Sequence, residues 1–146
     1  SHVFSEGISS LTLNLEKAYT DGAHVEKWQR TIALDREYNW VGVTEQYKLD
    51  SLQIEKDRLN GQVFDNQIIL MAYGKPVVQK AGRILLQGGL VRLEYDAQYL
   101  SASVEKVQMT DGIMKTQWKD NIYRIILRLN DNYPMAKVKY RFVETR

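Results

Sequence analysis

The sequence predicts an all-β fold, an antiparallel β-sandwich of about ten strands folded as a single domain over residues 1–146. Three observations carry this expectation. Apolar and polar residues alternate with period two through most of the chain, as they do on a sheet with one packed and one solvated face. Nine tyrosines, three tryptophans and three phenylalanines enrich it in the aromatic side chains that pleated surfaces favour. Turn residues recur at about 8–12-residue intervals, the rhythm of a sandwich rather than of βαβ units.

The elements follow in order. Leu11, Leu13 and Leu15 alternate with Thr12 and Asn14, and Glu16-Lys17-Ala18-Tyr19 reads as a turn leaving that strand. Trp28, Ile32 and Leu34 share a face, with Gln29, Thr31 and Ala33 on the other. Val41, Val43, Tyr47 and Leu49 alternate with Gly42, Thr44, Gln46 and Lys48. The stretch Leu52 to Leu59 has Asp50 or Ser51 as a helix cap and Asn60-Gly61 as a stop. Its apolar residues fit one helical stripe poorly, so a charged loop competes with a helix there. Gly88-Gly89 reads as a tight turn before Val91, Leu93 and Tyr95. Asp111-Gly112 reads as a turn after Val104 to Met109, and Lys119-Asp120-Asn121 as another before the strand of Tyr123, Ile125, Leu127 and Leu129. Asn130 to Pro134 joins that strand to Val138, Tyr140 and Phe142. The expected inward set is Trp28, Ile32, Leu34, Val41, Val43, Tyr47, Leu93, Tyr95, Ile125, Leu127, Tyr140 and Phe142.

Composition excludes several chemistries. The 146 residues are 44% hydrophobic and 26% charged, ordinary values for a folded chain. Cysteine is absent, which removes disulfides, thiolate metal sites and cysteine nucleophiles. His2 and His24 are too few for a histidine-built metal centre, and neither a metal nor another cofactor is expected. Twenty Lys+Arg against eighteen Asp+Glu leave a net charge of +2, which names no partner, and no nucleic acid is expected. No apolar run approaches the roughly 18 residues of a membrane span, and no signal-peptide pattern opens the chain. Ser1 in place of Met reads as a mature fragment or an excised domain.

No phosphate loop, zinc motif or nucleophile elbow occurs, so no catalytic residue is assigned. Asp57 and Asp65 read as acids of a solvated loop, and His24, after Asp21-Gly22-Ala23, as a surface histidine. Two features stand out as candidate contacts with glycan or with another domain. Trp40 shares the polar face of its strand, where an indole serves either as a sugar platform or as packing at the sandwich end. Lys137, Lys139 and Arg141 line one face of the last strand, and Arg124 and Arg128 one face of the strand before. A symmetric hairpin sets Arg128 opposite Lys137 and Arg124 opposite Arg141, a repulsive arrangement. Acids on a flanking strand, an acidic surface of another domain, or an anionic ligand would offset it.

Several stretches, in order, resemble the C-terminal β-sandwich region of heparinase II/III-type polysaccharide lyases. They are Leu11 to Tyr19, Val25 to Thr31, Leu34-Asp35-Arg36, the Glu-Gln-Tyr-Lys-Leu step within Val43 to Leu49, Leu93 to Asp96, Met109 to Asp111, Trp118 and Ile122 to Ile125. The segment from Asp50 to Asp65 is longer than the family's usual connection. The resemblance implies a parent enzyme with an α/α-toroid ahead of β-sandwich layers, cleaving uronate-containing anionic polysaccharide by β-elimination. It implies a periplasmic or extracellular location. The family's base and carboxylate-neutralising groups lie mainly on parts absent here, so this chain is expected to be a non-catalytic module that supports the catalytic domain and flanks the glycan groove. The alternative is a stand-alone carbohydrate-binding or adhesion sandwich with no lyase parent.

Overall fold

The computed structural model describes residues 1–61, 65–131 and 133–145. Asn132 of the expected last turn lies outside them. The described residues form an all-β, sandwich-like fold of eleven strands in two antiparallel sheets. In chain order these are β1 (His2–Phe4), β2 (Ile8–Asn14), β3 (Val25–Asp35), β4 (Trp40–Leu49) and, after helix α1 (Ser51–Leu59), β5 (Gln67–Ala72). Then come β6 (Val77–Lys80), β7 (Arg83–Leu86), β8 (Val91–Tyr95) and β9 (Leu100–Gln108). Helix α2 (Gly112–Trp118), β10 (Asn121–Leu129) and β11 (Met135–Glu144) complete the chain. Two compact units alternate along it: residues 1–65 with 131–141, and residues 66–130 with 142–146.

In the first unit β1, β2, β3, β4 and β11 are successive neighbours. The register explains the alternation in the sequence. Leu11 pairs with Ile32 and Ile32 with Val43, Leu13 with Arg30 and Arg30 with Glu45, and Trp28 with Tyr47. All of these project from one face. Trp28, Val43, Tyr47, Leu49, Val138 and Tyr140 are buried. Ser10, Thr12, Gln29, Thr31, Thr44 and Gln46 occupy the opposite face by the same register. Leu34 departs from the expected inward set at 38% exposure. Its β2 partner is Ser9, so no apolar side chain lies directly opposite it on that strand.

The segment after β4 is a helix, resolving the choice between helix and loop. Asp50 caps it, its carboxylate accepting from the amides of Leu52 and Gln53 at 3.0 and 3.1 Å. Ile54 is its one buried residue, so a single anchor stands in for an apolar stripe.

In the second unit β6, β7 and β8 form a meander, and β10 lies between β5 and β9. Gly88 (φ 67°) and Gly89 (φ 101°) supply the left-handed backbone that turns β7 into β8. Asp111-Gly112 opens α2 rather than a hairpin, Asp111 accepting from the amides of Ile113 and Met114. The expected β10–β11 hairpin is not formed either. Ile125, Ile126 and Leu127 are consecutive and all buried, so β10 needs cover on both faces and partners on both edges. β5 and β9 take those edges.

Replacing Asp50 by Ala is expected to cost about 1 kcal/mol, the usual value of a helix N-cap. Urea unfolding measures it, and an unchanged midpoint would show that α1 does not depend on its cap.

Candidate functional site

The most concentrated chemistry in the first unit lies on the packed face of β3, β4 and β11. Glu45 projects there between Val43 and Tyr47 and is fully buried, at 0% exposure. A carboxylate in that position is sustained only with charge and hydrogen-bond partners. Arg30, directly across the β3–β4 pair, donates from Nε to Oε1 at 2.6 Å. Trp28, one diagonal away, donates from its indole Nε1 to Oε2 at 2.8 Å. The Tyr140 hydroxyl reaches Oε1 from β11 at 3.5 Å. Among the described residues no buried side-chain nitrogen or oxygen lacks a partner.

An aromatic stack encloses the polar centre. Tyr19 stacks on Trp28 with ring centroids 5.0 Å apart, and Trp28 on Tyr47 at 5.1 Å. Such contacts add about 0.5–1.5 kcal/mol each beyond area burial. The Tyr47 hydroxyl donates to the Tyr133 carbonyl at 3.2 Å, which ties the stack to the segment entering β11.

The electrostatics follow from burial and from the carboxylate. Burial, then the Glu45 charge, push the Tyr140 phenol up to about 12 from 10.0, with Arg30 acting in the opposite sense. Burial opposes the Arg30 charge, yet its hydrogen bond and Coulomb attraction to Glu45 outweigh that and hold the guanidinium above its ordinary value. Burial also raises the Tyr19 phenol. The cluster is therefore a closed charge pair, with both tyrosines kept neutral at physiological pH. It links β3, β4 and β11 around a fully buried carboxylate, with the Arg30 side chain 35% exposed at its edge.

The sequence-predicted contact residues are dispersed. Trp40 is half-buried, and its six-membered ring lies over Gly42 two residues along β4. A Cβ built on Gly42 would fall 2.7 Å from the ring's Cζ3. Trp40 thus packs on its own strand, a contact different from the sugar platform and from the packing at the sandwich end that the sequence suggests. Arg124 and Arg128 face β5 and β9 rather than β11: Arg124 pairs with Met71 and Glu105, and Arg128 with Gln67 and Ser101. Arg124 donates from Nε to Oε2 of Glu105 at 2.9 Å, and from Nη2 to the same oxygen. The stripe predicted across one hairpin is therefore split. Lys137, Lys139 and Arg141 remain together on the exposed face of β11.

His24 and Asp57 correct the sequence reading. Asp57 lies on α1, and its Oδ2 is 3.0 Å from His24 Nε2, with the side chains 22% and 13% exposed. The pair ties the start of β3 to the helix. No three His, Cys, Asp or Glu side chains converge as a metal-binding group among the described residues. No protein-family model matches the chain, and no curated protein matches its sequence.

Glu45→Ala is expected to destabilise the chain by about 2–4 kcal/mol, less than the about 3–5 kcal/mol of a fully buried broken pair because the stranded guanidinium can hydrate. Arg30 is 35% exposed, which sets that discount. Chemical denaturation measures the loss, and one under about 1 kcal/mol contradicts the account. Tyr140 supplies a pH test. Its proton is held in folded and unfolded chains below pH 10, and the unfolded chain releases it first, so its share of stability is lost between pH 10 and about 12. Tyrosinate absorbance should show a phenol titrating near 12 that Tyr140→Phe removes.

Proposed function

We propose that this chain is a non-catalytic β-sandwich module of a heparinase II/III-like polysaccharide lyase, a support for a catalytic domain that cleaves uronate-containing polysaccharide. One observation supports this reading above others. Three of the stretches that carry the resemblance meet in the buried cluster: Leu11 to Tyr19 supplies Tyr19, Val25 to Thr31 supplies Trp28 and Arg30, and Val43 to Leu49 supplies Glu45 and Tyr47. Residues scattered through a sequence and joined in one polar core form a structural signature, because each is held in place by the others.

The same cluster favours a supporting role over a catalytic one. β-Elimination needs a base within hydrogen-bond reach of the proton α to the uronate carboxyl, and donors aimed at that carboxylate. Glu45 is shielded from solvent and committed to three donors of its own chain. Arg30 is committed to Glu45.

Two measurements test the reading. The chain, incubated with heparan-type and other uronate polymers, is expected to produce no ultraviolet-absorbing unsaturated uronate; turnover would end the non-catalytic assignment. The coding sequence ahead of Ser1 is expected to specify an α-helical toroid. A short leader or a run of adhesin-like repeats there would favour a stand-alone binding sandwich instead.

A further inference from the structure

A strand at the edge of a sheet turns unpaired amides and carbonyls outward, and folded chains ordinarily protect it by brevity, charge, proline or a bulge. Among the described residues the two sheets end on β1, β6, β9 and β5. β1 has three residues. β6 has four, follows Lys75-Pro76, ends on Lys80 and carries a register irregularity between Val78 and Lys80. β9 carries Glu105 and Lys106. β5 has none of these devices: Gln67–Ala72 is six residues without charge or proline, in unbroken register with β10. An uncharged run of β-favouring residues on an edge is the pattern that recruits another strand.

The ladder fixes which main-chain groups of β5 are left over. The Leu129 amide donates to the Asn66 carbonyl at 3.1 Å, so these opposed residues form a hydrogen-bonded pair. Alternation then turns the amides and carbonyls of Ile68, Leu70 and Ala72 toward β10, and those of Ile69 and Met71 outward. No described residue bonds these outward groups. Ile69 and Met71 also share one face of the sheet, where they are 51% and 56% exposed. Open donors, open acceptors and apolar side chains thus coincide on one edge.

We infer that β5 pairs edge to edge with β5 of a second copy of this chain, antiparallel about a two-fold axis at Leu70. The open main-chain groups need a strand, the apolar face needs an uncharged one, and β5 itself meets both conditions. In this register the outward groups of Ile69 meet those of Met71 of the second copy, and symmetry supplies the reverse pair. Ile69 packs against Met71 on one face; on the other Leu70 meets Leu70 and Ile68 meets Ala72. Arg124 and Arg128 on β10 stand at least three strand spacings, about 14 Å, from β10 of the second copy, beyond the about 8–10 Å of screening. Arg124 is also paired with Glu105. Lys119, over the Tyr73 ring at the end of the strand, is level with the uncharged Gln67 of the second copy. An edge about 20 Å long on a sheet about 10 Å deep gives roughly 200 Å² per copy. Stable partners bury about 800 Å² each, so this dimer is weak and forms with concentration. The inference rests on β5 and not on the proposed function.

Sedimentation velocity of the full 146-residue chain from about 10 µM to about 1 mM is expected to show a reversible shift from monomer toward dimer. Over the same range, hydrogen exchange at the Ile69 and Met71 amides should slow, while that at Leu70, already bonded to β10, should not change. Ile69→Lys and Met71→Glu should each keep the wild-type circular dichroism and dimerise about tenfold more weakly. Mixed in equal amounts, the two variants should recover at least wild-type association, because the register sets the introduced cation opposite the introduced anion. Val78→Lys, on the β6 edge, should dimerise as wild type. A chain that stays monomeric at the highest concentration would overturn the inference. So would association that leaves the Ile69 and Met71 amides exchanging as before, single variants that dimerise as wild type, or a mixture no stronger than its components.

Discussion

The first unit depends on one buried carboxylate. Glu45 sits where the alternation of β4 calls for an apolar side chain, and an unpaired charge there would cost more than the sheet's neighbouring contacts return. The fold supplies Arg30 and Trp28 from β3 and Tyr140 from β11. Because these donors come from both strands flanking β4, the carboxylate holds three strands at one level. A shift of either neighbour by one residue would turn its donor to the opposite face and leave Glu45 unsatisfied. The ion pair therefore penalises wrong pairings more than it stabilises the right one, as buried polar groups do when they specify register.

The aromatic residues around it have a related part. Tyr19 and Tyr47 both stack on Trp28, and the indole keeps its one N–H for Glu45. Apolar stacking and the charge-assisted hydrogen bond thus rest on the same ring. With the carboxylate turned inward, the other face of these strands carries hydroxyls, amides and cations. Trp40 belongs to that side but covers Gly42, where a larger residue would displace its ring.

The strands were legible because period two needs no tertiary information: the alternating Leu11-Leu13, Trp28-Ile32 and Val41-Val43-Tyr47 sets are neighbours on one face. The central charge was not singled out, although its signal lay in the same pattern. Glu45 occupies an apolar register position, and a charged residue there demands a partner. Pairing order was less readable. The hairpin between β10 and β11 was a local assumption, while Ile125-Ile126-Leu127, apolar on both faces, marks a strand enclosed on both sides. α2 was hidden by shared chemistry, since Asp-Gly opens a turn as readily as Asp caps a helix. His24 and Asp57 meet through tertiary packing that periodicity does not encode.

The central claim is that the Glu45 carboxylate and its donors form the most persistent part of the first unit. Hydrogen exchange of the Trp28 indole N–H, followed by NMR under native conditions, tests it most directly, because that proton is the bond from the aromatic stack to the carboxylate. Exchange only through global unfolding, with a protection free energy equal to that of the whole unit, is the predicted result. Exchange as fast as that of the partly exposed Trp118 indole would show that the bond opens without the sheet, and would contradict the account.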